Sequence, residues 1–345
     1  MSTVSNEALV SLYRTMRLAR AVDERLWILN RQGKVPFTVS CQGHEAIGAA
    51  LAHVLRPGHD WVAPYYRDLA LVLGLGASVE DVFLHALAKA TDPVSGGRQM
   101  PAHWSFPTLR VLTTSSVTGT QTLHAVGAAL VAKLRRSDEV AVTTLGEGAT
   151  SEGEFHEACN FAAVRRLPVV FVVESNGWAI SVPKREQLAV ASVAVRAAAY
   201  GFTGEDCDGT DVAAAAACFG RAVERARAGE GPTLISAECT RLTAHTSDDQ
   251  DTVYRPAEEV AEARKRDPIT IARHALVARG AWDDAREEAL AAELRAEVDA
   301  ALGRAMAAPD PAPDTLARDV YAEGRYEGAR CVCRGTSASF VREAA

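Results

Sequence analysis

The segment from Gly146 to Ile180, GEGATSEGEFHEACNFAAVRRLPVVFVVESNGWAI, constrains this chain more than any other. An apolar run leads into Gly146-Glu147-Gly148, and a second apolar run leads into Asn176-Gly177. Between them lies a helix-like stretch, so the pattern is strand, turn, helix, strand. Two such strands are neighbours in a parallel sheet, and ligands bind at the carboxyl ends of such strands. Glu147 then offers a charged oxygen and Asn176 an amide oxygen at adjacent strand ends. The backbone carbonyl of Trp178, folded back by the turn at Gly177, is a third donor. A hard cation such as Mg²⁺ takes one or two protein oxygens together with phosphates and water. Gly146 and Gly148 allow a diphosphate to approach the backbone. Ala149, Thr150 and Ser151 are expected to open the helix, whose free N–H groups suit phosphate.

The rest of the chain continues the alternation. Helices are expected over 5–32, 43–56, 78–91, 121–135, 151–165, 187–200 and 211–228, the last capped by Asp211. Strands are expected over 139–145, 168–174, 203–207 and 232–238. This is an α/β protein with a mostly parallel sheet covered by helices on both faces. Residues 1–35 form a helical arm and 36–256 the central domain. Residues 257–322 form a helical extension, broken near Asp267-Pro268 and ending beyond the stiff PDPAPD stretch at 309–314, and 323–345 form a tail.

Together these blocks resemble the alpha chain of the thiamine diphosphate-dependent 2-oxo acid dehydrogenases, over roughly residues 5 to 320. The similar segments are KVPFTVSCQGHEA at 34–46, DWVAPYYRDLA at 60–70, GRQMPAHWS at 97–105, TTSSVTGTQ at 113–121 and TRLTAHTSDD at 240–249. The resemblance implies the thiamine diphosphate-binding fold, with Glu147, Asn176 and Trp178 on Mg²⁺. It implies Tyr66, Arg67, Ser116, the Thr118 carbonyl, Gly146, Gly148, Ala149, Arg241 and His245 at the cofactor. Arginine suits this task because its guanidinium binds phosphate through paired hydrogen bonds. His245 and His103 are the implied catalytic residues, and an imidazole moves protons near neutral pH. In some members Ser115, Thr120 and Gln121 would hold a structural K⁺.

This sequence departs from the family at Thr118, where an apolar residue is common, and at Glu174, where some relatives carry an arginine directed at phosphate. Thr246 and Ser247 follow His245 directly, which argues against the kinase control of the mammalian relatives. No residue supplies the carboxylate needed at the aminopyrimidine ring. In the family a separate beta chain supplies it, in an assembly of two alpha and two beta chains, and the acyl product passes to a lipoyl-bearing acyltransferase core.

The expected activity is oxidative decarboxylation of a branched-chain 2-oxo acid, with pyruvate or acetoin as the alternative substrates. A non-catalytic phosphate- or oxo-acid-binding protein on the same sheet is the alternative of another class. The net charge of -7, without a basic block, argues against nucleic acid as a partner. The seven cysteines show no zinc spacing and suggest a reduced, cytoplasmic protein. No apolar run is long enough to cross a membrane.

Overall fold

The computed structural model describes residues 4–316. Residues up to Asp310 form one compact unit. The described part of the second unit, residues 311–316, contains a single 3₁₀ turn, Pro313–Thr315. The tail expected at 323–345 and the end of the expected extension lie outside the described residues.

Ser5 caps α1 (Asn6–Arg31) by accepting the Ala8 N–H at 3.2 Å. Leu9, Leu12, Tyr13, Met16, Ala19, Val22 and Leu26 form its buried stripe, at the spacing of one helical face. Next come α2 (Glu45–Val54), β1 (Trp61–Ala63), α3 (Leu69–Leu75), α4 (Val79–Ala86), α5 (Thr120–Arg135), β2 (Ala141–Gly146), α6 (Gly153–Arg165) and β3 (Val169–Ser175). A short hairpin, β4 (Trp178–Ala179) with β5 (Val182–Pro183), precedes α7 (Ala197–Tyr200), β6 (Thr203–Asp208), α8 (Val212–Arg227) and β7 (Thr233–Glu238). The unit closes with α9 (Ala257–Arg264), α10 (Pro268–Ala278) and α11 (Asp284–Ala307).

The main sheet runs β1-β2-β3-β7-β6 with every pair parallel. Its central strands are buried on both faces. Val140, Val142, Val170 and Val172 join the core formed with α1, α2, α8 and α11. Ala141, Leu145, Val169, Phe171 and Val173 join the core beneath α5 and α6. That alternation is the two-residue period of a strand, and burial on both faces is what a helix-covered parallel sheet requires.

Gly43 ties the entry of α2 to the far end of the chain. Its φ is +96°, and a Cβ there would meet the Thr240 carbonyl oxygen at 1.7 Å. Only glycine fits this position. Beside it, Leu242 N–H donates to the Gln42 carbonyl and Ser247 N–H to the Thr38 carbonyl. The 240–247 loop is thereby laid along residues 38–42.

The α/β class, the parallel sheet and the N-terminal helix are as the sequence implies. Asp211 caps α8 through the N–H groups of Ala213 and Ala214. Asp267 caps α10 directly before Pro268, which places the expected helix break.

Two local expectations need correction. Residues 187–200 do not form one helix: a loop follows Gln187, then a 3₁₀ turn at Val193–Arg196 capped by Ser192, then the four residues of α7. The β-branched Val190, Val193 and Val195 weaken helix formation there. The helix expected to open at Ala149-Thr150-Ser151 is a separate 3₁₀ turn, Glu147–Ser151, and the extended Glu152 separates it from α6. Thr150 Oγ1 donates back to the Glu147 carbonyl at 2.6 Å, and Arg196 holds the Thr150 carbonyl at 3.0 Å. Separately, α3 and β1 occupy residues that the sequence pattern left unassigned.

Candidate active site

A cavity of about 550 Å³ opens at the carboxyl ends of β2 and β3. Its wall includes Tyr65, Tyr66, Arg67, Ser116, Thr118, Gln121, Gly146, Gly148, Ala149, Asn176, Trp178 and His245. Five separate stretches of the chain thus converge on one space. Gly148 is required by packing: a Cβ there would meet the Ala179 Cβ at 2.5 Å and Gln187 Oε1 at 2.9 Å. Gly146 differs. Its backbone is extended, and a Cβ would meet nothing within 4 Å, so the absent side chain leaves room in the cavity.

Glu147 is fully buried. Its Oε2 accepts the Asn176 N–H at 3.2 Å, and its Oε1 has no partner. Burial pushes its pKa up, because a carboxylate without a counter-charge is unstable in a dry environment. Asn176 Oδ1 accepts the Trp178 N–H at 3.0 Å, and an amide oxygen has a second lone pair to give. Glu147 and Asn176 are therefore adjacent, with one buried carboxylate oxygen unused. Among the described residues no three His, Cys, Asp or Glu side chains cluster as a metal site. A cation held here would draw its remaining ligands from neutral oxygens and phosphates, as Mg²⁺ commonly does.

Arg67 is buried. Its Nη1 donates to the Ser40 carbonyl at 2.7 Å, and its Nη2 reaches both Nδ1 and the carbonyl oxygen of His245 at 3.0 Å. The guanidinium can only donate, so His245 Nδ1 accepts and the neutral ring carries its proton on Nε2. Burial, then the charges of Arg67 and Arg241, hold the His245 pKa down at about 3. Tyr66 stands edge-on to the same ring at 6.0 Å between centroids.

Two expected site residues lie behind the wall. Arg241 contacts the Ile180 carbonyl and the Tyr254 hydroxyl, each at 2.9 Å, while its Nε and Nη1 are buried without partners. His103 Nε2 lies 2.5 Å from Ser116 Oγ, so it reaches the cavity through that hydroxyl. The three side chains implied for K⁺ are separately engaged. Ser115 Oγ accepts the Val117 N–H, Thr120 Oγ1 donates to Glu154, and Gln121 Nε2 donates to the Thr144 carbonyl.

Glu174 does not face the cavity. It is buried against His44, with His44 Nδ1 2.5 Å from its Oε2 and the Tyr65 hydroxyl donating to the same oxygen at 3.3 Å. Burial lifts its pKa to about 7. Asp68, beside it, is raised well above the carboxylate range by burial and then by the charge of Glu174. The His44 ring is held at about 3 by burial and then by Arg67. Sequence reasoning gave His44 no role, since its partner is 130 residues away and no local pattern joins them. It also missed Ile180, which lines the cavity at φ +53°, a strained position for a β-branched residue.

A family model described as "Dehydrogenase E1 component" matches residues 13–314. The chain is 45% identical over 330 residues to the 2-oxoisovalerate dehydrogenase subunit alpha of Bacillus subtilis, covering 94% of this chain and 100% of that one. It is 41% identical over 320 residues to the 3-methyl-2-oxobutanoate dehydrogenase subunit alpha of Mycobacterium tuberculosis, covering 92% and 83%. The pyruvate dehydrogenase E1 component subunit alpha of Acholeplasma laidlawii is 34% identical over 293 residues, covering 85% and 82%.

Proposed function

Because this chain belongs to the dehydrogenase E1 component family, a thiamine diphosphate-dependent family, we propose that it is the alpha subunit of an enzyme that decarboxylates branched-chain 2-oxo acids oxidatively and passes the acyl group to a lipoyl domain. The observation that carries this reading is the unpartnered, buried Glu147 Oε1 beside Asn176, at the strand ends where the cavity opens. Glu147, the Asn176 amide oxygen and the Trp178 carbonyl would hold Mg²⁺. Arg67 and Arg241 would answer the diphosphate charge, with Ser116, the Thr118 carbonyl, Tyr66 and the backbone of Gly146, Gly148 and Ala149 around the cofactor. When bound, thiamine diphosphate supplies the electron sink for loss of carbon dioxide. His245 is kept neutral and oriented by Arg67, which leaves its Nε2–H as the ring's free donor. His103 would orient Ser116. The same reading extends to K⁺ on the hydroxyl and amide oxygens of Ser115, Thr120 and Gln121.

Membership as an alpha subunit implies a beta subunit, and we extend this to two alpha and two beta chains delivering to a lipoyl-bearing acyltransferase core. Ile180 and Val182 on the cavity rim are 57% and 44% exposed, an apolar edge that a partner would cover. Free, buried Cys41, Cys159, Cys207, Cys218 and Cys239 suit work in the reducing cytoplasm. Branched-chain acids are favoured over pyruvate by the relatives' identities, 45% and 41% against 34%.

The test is turnover on a panel of 2-oxo acids by the chain alone and after assembly with its beta partner. The expected result is no turnover alone and the highest kcat/KM on a branched-chain acid when assembled. His245→Ala should lower kcat in the assembly by about 100-fold or more, the range for a lost acid–base group. Turnover by the isolated chain would overturn the split site, unchanged turnover in His245→Ala would remove His245 from the chemistry, and an assembly that binds but turns over no 2-oxo acid would favour a binding protein.

A further inference from the structure

His44 belongs to the QGHEA block but makes no cap for α2: its side chain forms no capping hydrogen bond, and the residue is 2% exposed. The ring instead contacts two residues at the carboxyl end of β3. Its Nδ1 lies 2.5 Å from Glu174 Oε2, and its Nε2 lies 3.4 Å from Asn176 Nδ2. The amide nitrogen of Asn176 can only donate, so Nε2 must accept and the ring proton sits on Nδ1, aimed at the Glu174 carboxyl. The opposite end of the Asn176 amide is fixed by a group of the other kind, since the Trp178 N–H donates to Oδ1 at 3.0 Å. Both ends therefore select the same amide orientation.

We infer that His44, held by Glu174, is the positioning residue that turns the Asn176 amide oxygen toward the metal. With the ring removed, only the Trp178 bond opposes rotation of Asn176, and a rotated amide would present N–H groups to a cation. Tyr65, whose hydroxyl donates to Glu174, lines the cavity, so this buried chain borders the cofactor space. Groups that orient metal ligands typically change metal affinity about 10–100-fold when removed.

This inference rests on the proposed Mg²⁺ and thiamine diphosphate site, and the experiment separates the two. Mg²⁺ is titrated at fixed thiamine diphosphate into the assembled heterotetramer, and binding is read by calorimetry. Native complex that binds no cofactor defeats the site itself. If native binds, His44→Leu should raise the Mg²⁺ midpoint about tenfold or more, with KM for the 2-oxo acid unchanged. His44→Gln should recover most of the loss, because its amide oxygen can accept from Asn176 while its nitrogen donates to Glu174. A Leu variant within about threefold of native, well below that range, or a Gln variant as weak as Leu, overturns the inference. Should the Leu variant fail to assemble, a neutron structure of the native complex decides: a deuteron on His44 Nδ1 supports the assignment and one on Nε2 contradicts it.

Discussion

Asp60 and Glu147 are equally buried carboxyls at opposite ends of the same parallel sheet. Asp60 is 1% exposed just ahead of β1, and Glu147 is 0% exposed just beyond β2. Asp60 accepts the N–H groups of Arg56 at 2.9 Å and Val140 at 3.1 Å, and Arg227 grips its two oxygens at 3.0 and 2.8 Å. Glu147 accepts one bond, at 3.2 Å, and leaves an oxygen empty. Buried polar groups are normally satisfied, so the difference separates purposes. The completed acid holds strands and helix together; the incomplete one keeps an oxygen free for the proposed metal ion. The same contrast applies to the arginines. Arg20 is bound to Glu45 at 2.6 Å and forked onto Asp267 at 3.1 Å, whereas Arg67 and Arg241 keep buried N–H groups without partners.

Asp60→Ala should give the largest loss of stability. It strands the Arg227 charge and two backbone donors, and breaking a buried pair costs about 3–5 kcal/mol. Chemical denaturation of the complex measures this, and cofactor affinity at the remote end of the sheet should hold. Glu147→Ala should do the reverse. It would remove the proposed charged metal ligand, a change larger than the roughly 10–100-fold cost of losing an orienting group. Cofactor affinity should fall by more than that range in calorimetry, with the melting temperature unchanged or higher, since an uncompensated carboxyl has gone. Equal effects from the two variants would erase the distinction.

The smallest expected effect is the pH dependence of His245. Its folded pKa of about 3 lies below the ordinary value of about 6.5. Between these values the unfolded chain binds a proton that the folded chain refuses. The stability contribution is therefore full above the ordinary value and is lost as pH falls through that window toward the folded value. In cofactor-free complex, the difference in melting temperature between native and His245→Gln should shift in favour of the variant on going from neutral to acidic buffer. A constant difference would contradict the buried, neutral ring.

The parallel pairing of β2 with β3 and the strand-end placement of Glu147 and Asn176 were legible because two apolar runs, glycine-flanked acid and Asn-Gly turn are local signals. The interruption at Glu152 was not, and the residue that contacts this turn, Arg196 on the Thr150 carbonyl, lies 46 residues away. The loop at 188–192 was misread because an alanine- and valine-rich stretch carries a weak period. His44 was in view as a residue but not as a partner: its meaning depends on Glu174 and Asn176, which only the fold brings to it.

The most direct test of the central claim is a crystal structure of the assembled complex with thiamine diphosphate and Mn²⁺ in place of Mg²⁺, the ion located by its anomalous signal. The account predicts an octahedral ion bonded to Glu147 Oε1, Asn176 Oδ1, the Trp178 carbonyl and the cofactor diphosphate. An ion seated away from Glu147 and Asn176, or those side chains turned from it, would contradict the account.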